Sequence, residues 1–293
     1  MTSPHGHGMP EDIACRVCGG PVHHKWTLTV LERHAADYVE CLSCGCLQIP
    51  NPHWLEEAYR DEGHPIASNP DTGRFCRTYS AYVRLRALEH AGLFSGPMRA
   101  LDYGGGSGLL AAMLWLAGRE CRQYDPYCRM PMFAPELAFG APSEIPDAGF
   151  SVVTALEVFE HLCDPRDIIH ALAGYLMPGG AIVLSTGLYE PGVHTEAWPY
   201  LSRPSGQHVT FYTRKAIRVL AECAGLPNVF LFTSENGFVI VLTAMERRRA
   251  ARRLARATRA LRSTKLLTRW TDGAWDMRHL ANAGRHHSAV FVE

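Results

Sequence analysis

The chain has 293 residues, of which 47% are hydrophobic, and its 29 basic side chains balance 29 acidic ones. This length and apolar content suit one α/β domain of ordinary size with an appendage, and they exclude a chain that is disordered throughout. No run of about 18 apolar residues occurs and the N-terminus lacks the pattern of a secretion signal, so the sequence predicts a cytoplasmic protein.

Five of the ten cysteines are concentrated in one short segment near the N-terminus. They form the pairs Cys15-Arg-Val-Cys18 and Cys41-Leu-Ser-Cys44, with Cys46 two positions further on. Two C-x-x-C turns can present four thiolates to one tetrahedral ion, and a complete set of four favours structural zinc over catalytic zinc, which keeps one position open. The sequence therefore predicts a zinc-ribbon-like module with the ligands Cys15, Cys18, Cys41 and Cys44. The less favoured ligands are Cys46, His23 and His24.

The segment between this module and the next motif is predicted to be mostly helical. Asn51 and Pro52 can begin a short helix that runs to about Tyr59. Residues 60–75 are expected to form a loop. A longer helix is then predicted over residues 80–94 from apolar residues at helical spacing, which are Tyr82, Leu85, Leu88 and Ala91.

A glycine-rich motif follows, Asp102-Tyr-Gly-Gly-Gly-Ser-Gly108, between a short apolar run and the apolar residues 109–116. The pattern indicates a strand, a glycine loop and a helix, an arrangement in which a ligand can lie against bare backbone at the helix N-terminus. A dinucleotide-binding fingerprint would place its third glycine at position 109, where this chain has Leu109. The spacing therefore disfavours a nicotinamide cofactor.

This motif resembles the first motif of class I S-adenosylmethionine-dependent methyltransferases. Asp125 lies 23 residues after Asp102, at the end of a predicted strand over residues 119–124. The resemblance implies a Rossmann-like α/β sheet, in which the glycine loop packs against the methionine and ribose portions of S-adenosylmethionine and Asp125 binds the ribose hydroxyls. The alternative role of Asp125, which precedes a proline, is to open a turn.

Two further stretches are similar to the same family. Residues 150–165 contain the turn Glu157-Val-Phe-Glu-His161 and resemble the fourth strand with its turn, and residues 176–186 resemble the fifth strand. No acid matches the family position that contacts adenine. In this family a histidine such as His161 is expected to orient groups at the site. The residues that the resemblance assigns to the cofactor are Asp102, Gly104, Gly106, Gly108, Asp125 and Glu157.

The connection after the fifth strand, residues 187–213, is too long for an ordinary turn and is expected to form a lid over the acceptor. Within it, Gln207-His-Val-Thr-Phe-Tyr212 loosely resembles a segment of sugar methyltransferases that also carry a cysteine-rich module. A histidine with a pKa near 6.5 can remove the acceptor proton, which favours His208 as the general base. Tyr212 is the second catalytic candidate. The open alternatives are a structural His208, Tyr189, Glu190 and His194.

The C-terminal part is strongly basic. Residues 247–269 contain ten cations and no acid, which leaves 29 − 10 = 19 basic against 29 acidic residues elsewhere. Apolar residues repeat along one stripe, which predicts an amphipathic helix. Three roles stay open for residues 246–270: docking on the acidic body, contact with an anionic membrane surface, and phosphate binding. Residues 228–234 and 237–243 are predicted to form a closing hairpin, and residues 288–292 to add a strand.

These features divide the chain into a flexible tail (1–12), a zinc-ribbon-like module (13–50), an S-adenosylmethionine-binding methyltransferase domain (51–245) and a basic helical extension (246–293). The predicted function is O- or C-methylation of a small-molecule or sugar- or glycan-linked acceptor. It would take place in the cytoplasm or at the inner membrane surface. The alternative is a nucleic-acid-binding methyltransferase that uses the ribbon and the basic helix. It is disfavoured because the ribbon's only Lys and Arg residues are Arg16, Lys25 and Arg33.

Overall fold

The computed structural model describes residues 13–60, 72–94, 96–128, 130–234, 237–262 and 290–291. The predicted flexible tail, residues 1–12, lies outside this part of the chain. The strands are β1 Val22–Val30, β2 His34–Cys41, β3 Leu47–Gln48, β4 Arg99–Tyr103, β5 Glu120–Tyr124, β6 Phe150–Leu156, β7 Leu176–Ser185, β8 Thr210–Phe211, β9 Asn228–Ser234, β10 Gly237–Thr243 and β11 Val290–Phe291. The helices are α1 Leu55–Arg60, α2 Thr72–His90, α3 Leu109–Leu116, α4 Pro165–Gly174, α5 Arg214–Cys223 and α6 Arg247–Arg262.

A seven-stranded sheet forms the centre of the fold, in the order β11-β9-β10-β7-β6-β4-β5. Strands β5, β4, β6 and β7 run parallel to one another, whereas β10 pairs antiparallel with β7, β9 with β10, and β11 with β9. Every residue of β6 from Phe150 to Ala155 is buried, as expected for a parallel strand covered on both faces. The predicted Rossmann-like α/β sheet is confirmed, and so are the closing hairpin and the added C-terminal strand.

Two helix predictions had different outcomes. Helix α3 covers Leu109–Leu116, as its apolar run predicts. Helix α2 begins at Thr72, eight residues before the predicted start, so residues 72–75 are helical rather than part of a loop. The prediction was wrong there because apolar spacing marks only the part of α2 that packs on the core, where Leu85 and Leu88 are buried, while the first turns are polar and partly exposed.

The cysteine-rich segment forms a second sheet, in the order β1-β2-β3-β8. Strands β1 and β2 make an antiparallel hairpin, and β3 pairs with β2. The fourth strand, β8, comes from the predicted lid, because Leu47 pairs with Phe211 and Gln48 with Thr210. The sheet therefore crosses the predicted boundary at residue 50, and the cysteine-rich segment and the lid share one hydrogen-bonded framework.

The basic segment forms the amphipathic helix α6, which packs against α2. Ala250, Leu254 and Ala257 are fully buried on its inner face. Within the described ranges, no helix combines the length and the apolar character that crossing a bilayer requires. Contact of residues 246–270 with an anionic membrane stays a prediction, and residues 263–270 lie outside the described part. The exposed arginines of α6 are Arg247, Arg248, Arg249, Arg252, Arg256 and Arg259.

Truncation of Leu254 tests the docking of α6. The substitution Leu254→Ala should lower the free energy of unfolding by about 2–5 kcal/mol, because it leaves a cavity between α6 and α2. Urea denaturation measures this change. Arg256→Ala, at an exposed position of the same helix, should change stability by no more than about 0.5 kcal/mol. Equal effects of the two substitutions would show that α6 is not packed on the body in solution.

Candidate active site

A cavity of about 1020 Å³ opens beside the carboxyl ends of the parallel strands. Its wall is built by the loops after β4, β5 and β6, by one face of α2 and by the lid. This is the edge at which open α/β sheets bind their ligands. Gly106 and Asp125 face the same cavity. The predicted site residues that line it are Asp102, Gly104, Gly106, Asp125, Glu157 and His208.

The glycine loop adopts a backbone that only glycine tolerates easily. Gly104, Gly106 and Gly108 have φ angles of 74°, 53° and 82°. A Cβ atom on Gly104 would lie 2.4 Å from Val158 Cγ2, and one on Gly108 would lie 2.2 Å from the carbonyl oxygen of Phe133. Gly108 is the N-cap of α3 and is not among the cavity-lining residues, so the structure places it at the helix start rather than against a ligand.

Asp125 connects two neighbouring loops. Its Oδ2 accepts a hydrogen bond of 2.9 Å from the backbone N–H of Gly106. Its Oδ1 accepts from the N–H groups of Tyr127 and Cys128, at 2.8 and 3.0 Å. The residue therefore opens a turn, as the alternative predicts, and still lines the cavity with a fixed carboxylate. The two interpretations do not exclude each other.

Asp102 lies at the base of the glycine loop and is only 4% exposed. The hydroxyl of Thr154, on the neighbouring strand β6, donates to Asp102 Oδ1 at 2.6 Å. Burial is the main cause that raises the pKa of Asp102 to about 7; the hydrogen bond from Thr154 opposes this rise and the negative charge of Asp125 adds to it. Asp102 is thus a buried carboxyl group that can hold a proton close to neutral pH.

Glu157 stands where β6 ends, in a left-handed conformation with φ of 54°. Such a conformation is strained for a residue with a side chain and is often found at functional sites. It is held in place by Ser185 of β7, whose hydroxyl donates to Glu157 Oε1 at 2.7 Å and whose carbonyl accepts from Glu157 N–H at 3.0 Å. Glu157 also lines the cavity.

His208 reaches the cavity from the lid, and its protonation state follows from one contact. Nδ1 lies 2.7 Å from the carbonyl oxygen of Tyr200. Because a carbonyl oxygen only accepts, Nδ1 must carry the proton, and Nε2 keeps a lone pair. Burial lowers the pKa of His208 below its usual value near 6.5. At neutral pH the side chain is therefore an uncharged imidazole that can accept a proton.

Three side chains lie around His208, of which Glu160 is fully buried. The ring of His161 packs edge-on against it at 4.8 Å between centroids, and burial lowers the pKa of His161 to about 3. Tyr200 donates its hydroxyl to Glu160 Oε1 at 2.7 Å, while burial, followed by the charge of Glu157, raises the pKa of Glu160 to about 8. Ligand atoms of Glu160, His161 and His208 lie within 4.8 Å of one another, so this cluster could also hold a metal ion.

Tyr212 does not reach the cavity. Its side chain is fully buried, and its hydroxyl donates to the carbonyl oxygen of Phe159 at 2.7 Å. Burial raises the pKa of Tyr212 well above its usual value, so the phenol cannot serve as a base at neutral pH. The predicted catalytic role of Tyr212 is therefore not supported by this geometry. The lining of the cavity also does not include Tyr189, Glu190 or His194.

Several residues that line the cavity are not predicted by any sequence motif. Arg74, Arg77 and Arg84 lie along one face of α2, and burial lowers the pKa of the Arg84 guanidinium. Their spacing at i, i+3 and i+10 is a helical signal, but it falls partly in the segment that was predicted to be a loop. Glu160 is the second acid of the Glu-x-x-Glu-His turn, and only its contact with Tyr200 shows that it belongs to the site.

The four predicted zinc ligands meet at one point. Cys15 Sγ lies 3.6 Å from Cys44 Sγ, and Cys18 Sγ lies 3.4 Å from Cys41 Sγ, with all four sulfurs within 4.8 Å of one another. Backbone N–H groups point at two of the sulfurs, one from Gly20 to Cys18 and two from Ser43 and Cys44 to Cys41. Four clustered sulfurs supported by N–H donors fit a tetrahedral zinc ion. Cys46 is fully buried and stands outside this set.

Comparison with known proteins gives consistent results. A family model described as a methyltransferase domain matches residues 54–231. A ubiquinone biosynthesis O-methyltransferase from Idiomarina loihiensis is 27% identical over 195 residues, which cover 54% of this chain and 75% of the relative. One from Xanthomonas axonopodis is 32% identical over 152 residues, which cover 43% of this chain and 58% of the relative.

Among solved structures, a SAM-dependent methyltransferase from Archaeoglobus fulgidus is 16% identical, with a TM-score of 0.44 over 56% of this chain and 93% of that one. The assignment rests on the family model, which spans more than half of the 293 residues and covers the glycine loop, Asp125 and His208. The chain belongs to the methyltransferase family whose domain it carries, and it is an S-adenosylmethionine-dependent methyltransferase.

Proposed function

We propose that this enzyme transfers a methyl group from S-adenosylmethionine to a hydroxyl oxygen of a small-molecule acceptor, with His208 as the general base. The observation that carries the proposal is the position of His208 in the same cavity as the glycine loop, with its Nδ1 2.7 Å from the carbonyl oxygen of Tyr200. The relatives named as O-methyltransferases support oxygen as the methylated atom. A sugar or glycan hydroxyl stays a prediction within this class.

The cavity wall fits the cofactor. Gly104 and Gly106 line the cavity with backbone that carries no side chain, and Asp125 accepts a hydrogen bond from the N–H of Gly106 beside them. Backbone N–H groups occupy three acceptor positions of the Asp125 carboxylate, which leaves a lone pair on Oδ2 to accept from a ribose hydroxyl. When bound, S-adenosylmethionine supplies a methyl group that its positive sulfur already activates. The protein must therefore bind the two reactants in line and remove one proton from the acceptor.

His208 performs the proton transfer in this proposal. Nε2 accepts the hydroxyl proton as the oxygen attacks the methyl group, while the hydrogen bond from Nδ1 to Tyr200 keeps the ring in one orientation. Burial lowers the pKa of His208 and keeps the base unprotonated, and the charge of Glu157 acts in the opposite direction, which stabilises the imidazolium that forms. His161, whose pKa is about 3, stays uncharged beside it.

Removal of the Asp125 carboxylate tests the cofactor site. Asp125→Ala should weaken binding of S-adenosylhomocysteine by about 10- to 100-fold, because the ribose loses its charged acceptor. Isothermal titration calorimetry measures the dissociation constant. Glu136→Ala, which removes an exposed acid nearby, should leave the affinity unchanged. If Asp125→Ala binds as tightly as the wild type, the ribose assignment fails.

Replacement of His208 tests the base. His208→Gln should lower kcat by about 100-fold or more and leave the affinity for S-adenosylhomocysteine unchanged. Release of S-adenosylhomocysteine with a panel of phenols, catechols and hexoses measures turnover. Since burial lowers the pKa of His208, the loss of rate that follows protonation of His208 should begin only below about pH 6.5 in the wild type.

Tyr212→Phe is the matched control, because it removes a hydroxyl that does not line the cavity and should keep most of the activity. A greater loss in Tyr212→Phe than in His208→Gln would reverse the assignment of the base. A rate that depends on added Mg²⁺ or Mn²⁺ would favour an ion bound at Glu160, His161 and His208, and would contradict direct proton transfer to His208.

The second part of the proposal is structural zinc at Cys15, Cys18, Cys41 and Cys44. Elemental analysis of the purified protein should find about one zinc ion per chain. Cys18→Ser should lose the metal because three sulfurs leave the tetrahedron incomplete. Cys46→Ala should keep the zinc, since the Cys46 side chain lies outside the four-sulfur cluster. Loss of zinc in both variants, or in neither, would show that the ligand set is wrong.

A further inference from the structure

The lid segment around His208 is held by the cysteine-rich module. Strand β8 begins two residues after His208 and pairs with β3 of the module. The N–H of Ile49 donates to the carbonyl oxygen of Val209 at 2.9 Å. Just after the C-terminal end of β8, the hydroxyl of Thr213 donates to the carbonyl oxygen of Cys44 at 2.5 Å. The position of the candidate base therefore depends on a sheet that includes residues from the first part of the chain.

Arg16 makes the most direct connection, because it lies inside the Cys15–Cys18 turn. One terminal nitrogen of its guanidinium donates to the carbonyl oxygen of Pro50 at 2.9 Å. The other lies 3.4 Å from Thr210 Oγ1 and 3.5 Å from the carbonyl oxygen of Val209, the residue next to His208. The planar fork thus joins the cysteine turn to the chain just after β3 and to the backbone that carries the base.

The contact continues to the second histidine of the site. Thr210, which receives a hydrogen bond from Arg16, donates its own hydroxyl to the carbonyl oxygen of Leu162 at 2.7 Å. Leu162 directly follows His161 in the chain, and the N–H of Val209 donates to the carbonyl oxygen of Glu160 at 2.8 Å. The backbones of the Glu160–His161 turn and of the His208 segment are therefore fixed to each other next to the Arg16 guanidinium.

We propose that Arg16 is a positioning residue through which the metal-bound cysteine turn sets the place of the His208 imidazole. The inference rests on the proposed function, both on His208 as the base and on zinc at the four cysteines. Zinc binding fixes a turn that is too short to hold its conformation alone. The Arg16 guanidinium then holds β8 in place relative to this turn through its contacts with Val209 and Thr210, although Arg16 does not line the cavity. The cysteine-rich module is accordingly a structural part of the acceptor site rather than an appendage.

The kinetic test compares Arg16→Met with Arg33→Met, which removes an exposed arginine of the same module. Arg16→Met should keep about one zinc per chain and wild-type affinity for S-adenosylhomocysteine, while kcat falls by about 10-fold or more because the base is misplaced. In Arg16→Met, the pH below which the rate falls should move up toward 6.5, because a misplaced His208 is less buried and its pKa rises. Arg33→Met should change none of these values.

A double substitution separates positioning from general stability. If Arg16 acts through His208, Arg16→Met should cause no further loss of kcat in the His208→Gln background. An additional 10-fold loss there would overturn the proposal. Hydrogen exchange of residues 207–213 gives a readout without turnover: exchange should increase in Arg16→Met with zinc bound, and in the wild type after zinc is removed by a chelator. Unchanged exchange in both would also overturn it.

A conservative variant and the combined results distinguish the remaining outcomes. Arg16→Lys keeps the charge but not the fork, so it should retain zinc and lose part of kcat. If both Arg16 variants lose zinc, Arg16 supports the metal site and not His208, and the proposal is overturned. If His208→Gln stays fully active, the proposed function fails. If His208→Gln is inactive while Arg16→Met is unimpaired, the proposed function stands and only the role of Arg16 is wrong.

Discussion

The hydrogen bond from the N–H of Gly106 to Asp125 joins the loops that follow the two neighbouring strands β4 and β5. It depends on the parallel register, which brings Asp102 level with Gln123 and so places both loops at one edge of the sheet. The glycines have no side chain and adopt positive φ angles, and the hydrogen bond to the Asp125 carboxylate fixes the position of their loop. The place of the cavity, at the carboxyl ends of the parallel strands, follows from this arrangement.

The electrostatics of the site result from burial more than from ion pairs. Asp102 and Glu160 are carboxyl groups with raised pKa values, and His161 and His208 are imidazoles with lowered pKa values, in each case with desolvation as the first cause. Acids and bases that burial holds uncharged suit a reaction in which the positive charge arrives with the cofactor and one proton must leave. Glu157 adds a carboxylate, held in a strained conformation beside Ser185.

The position of the lid is decided by the cysteine-rich module. A regular extended segment would turn His208, Thr210 and Tyr212 to the same side, yet β8 is only two residues long and the three side chains have different surroundings. His208 lines the cavity, whereas Tyr212 leaves the strand, forms a bridge with Leu188 and buries its hydroxyl against Phe159. The pairing of β8 with β3 therefore accompanies an arrangement in which His208, and not Tyr212, lines the cavity.

The sequence by itself determined the parts of the protein in which the information is local. The spacing of four cysteines, of the glycine motif and of Asp125 predicted which groups would meet, because turn geometry and strand direction depend on neighbouring residues. Tertiary structure alone decided the burial of Tyr212, the early start of α2 with its cavity arginines, and the contact of Arg16 with Thr210. Those outcomes depend on pairing between segments far apart in the chain, which no local pattern of residue types encodes.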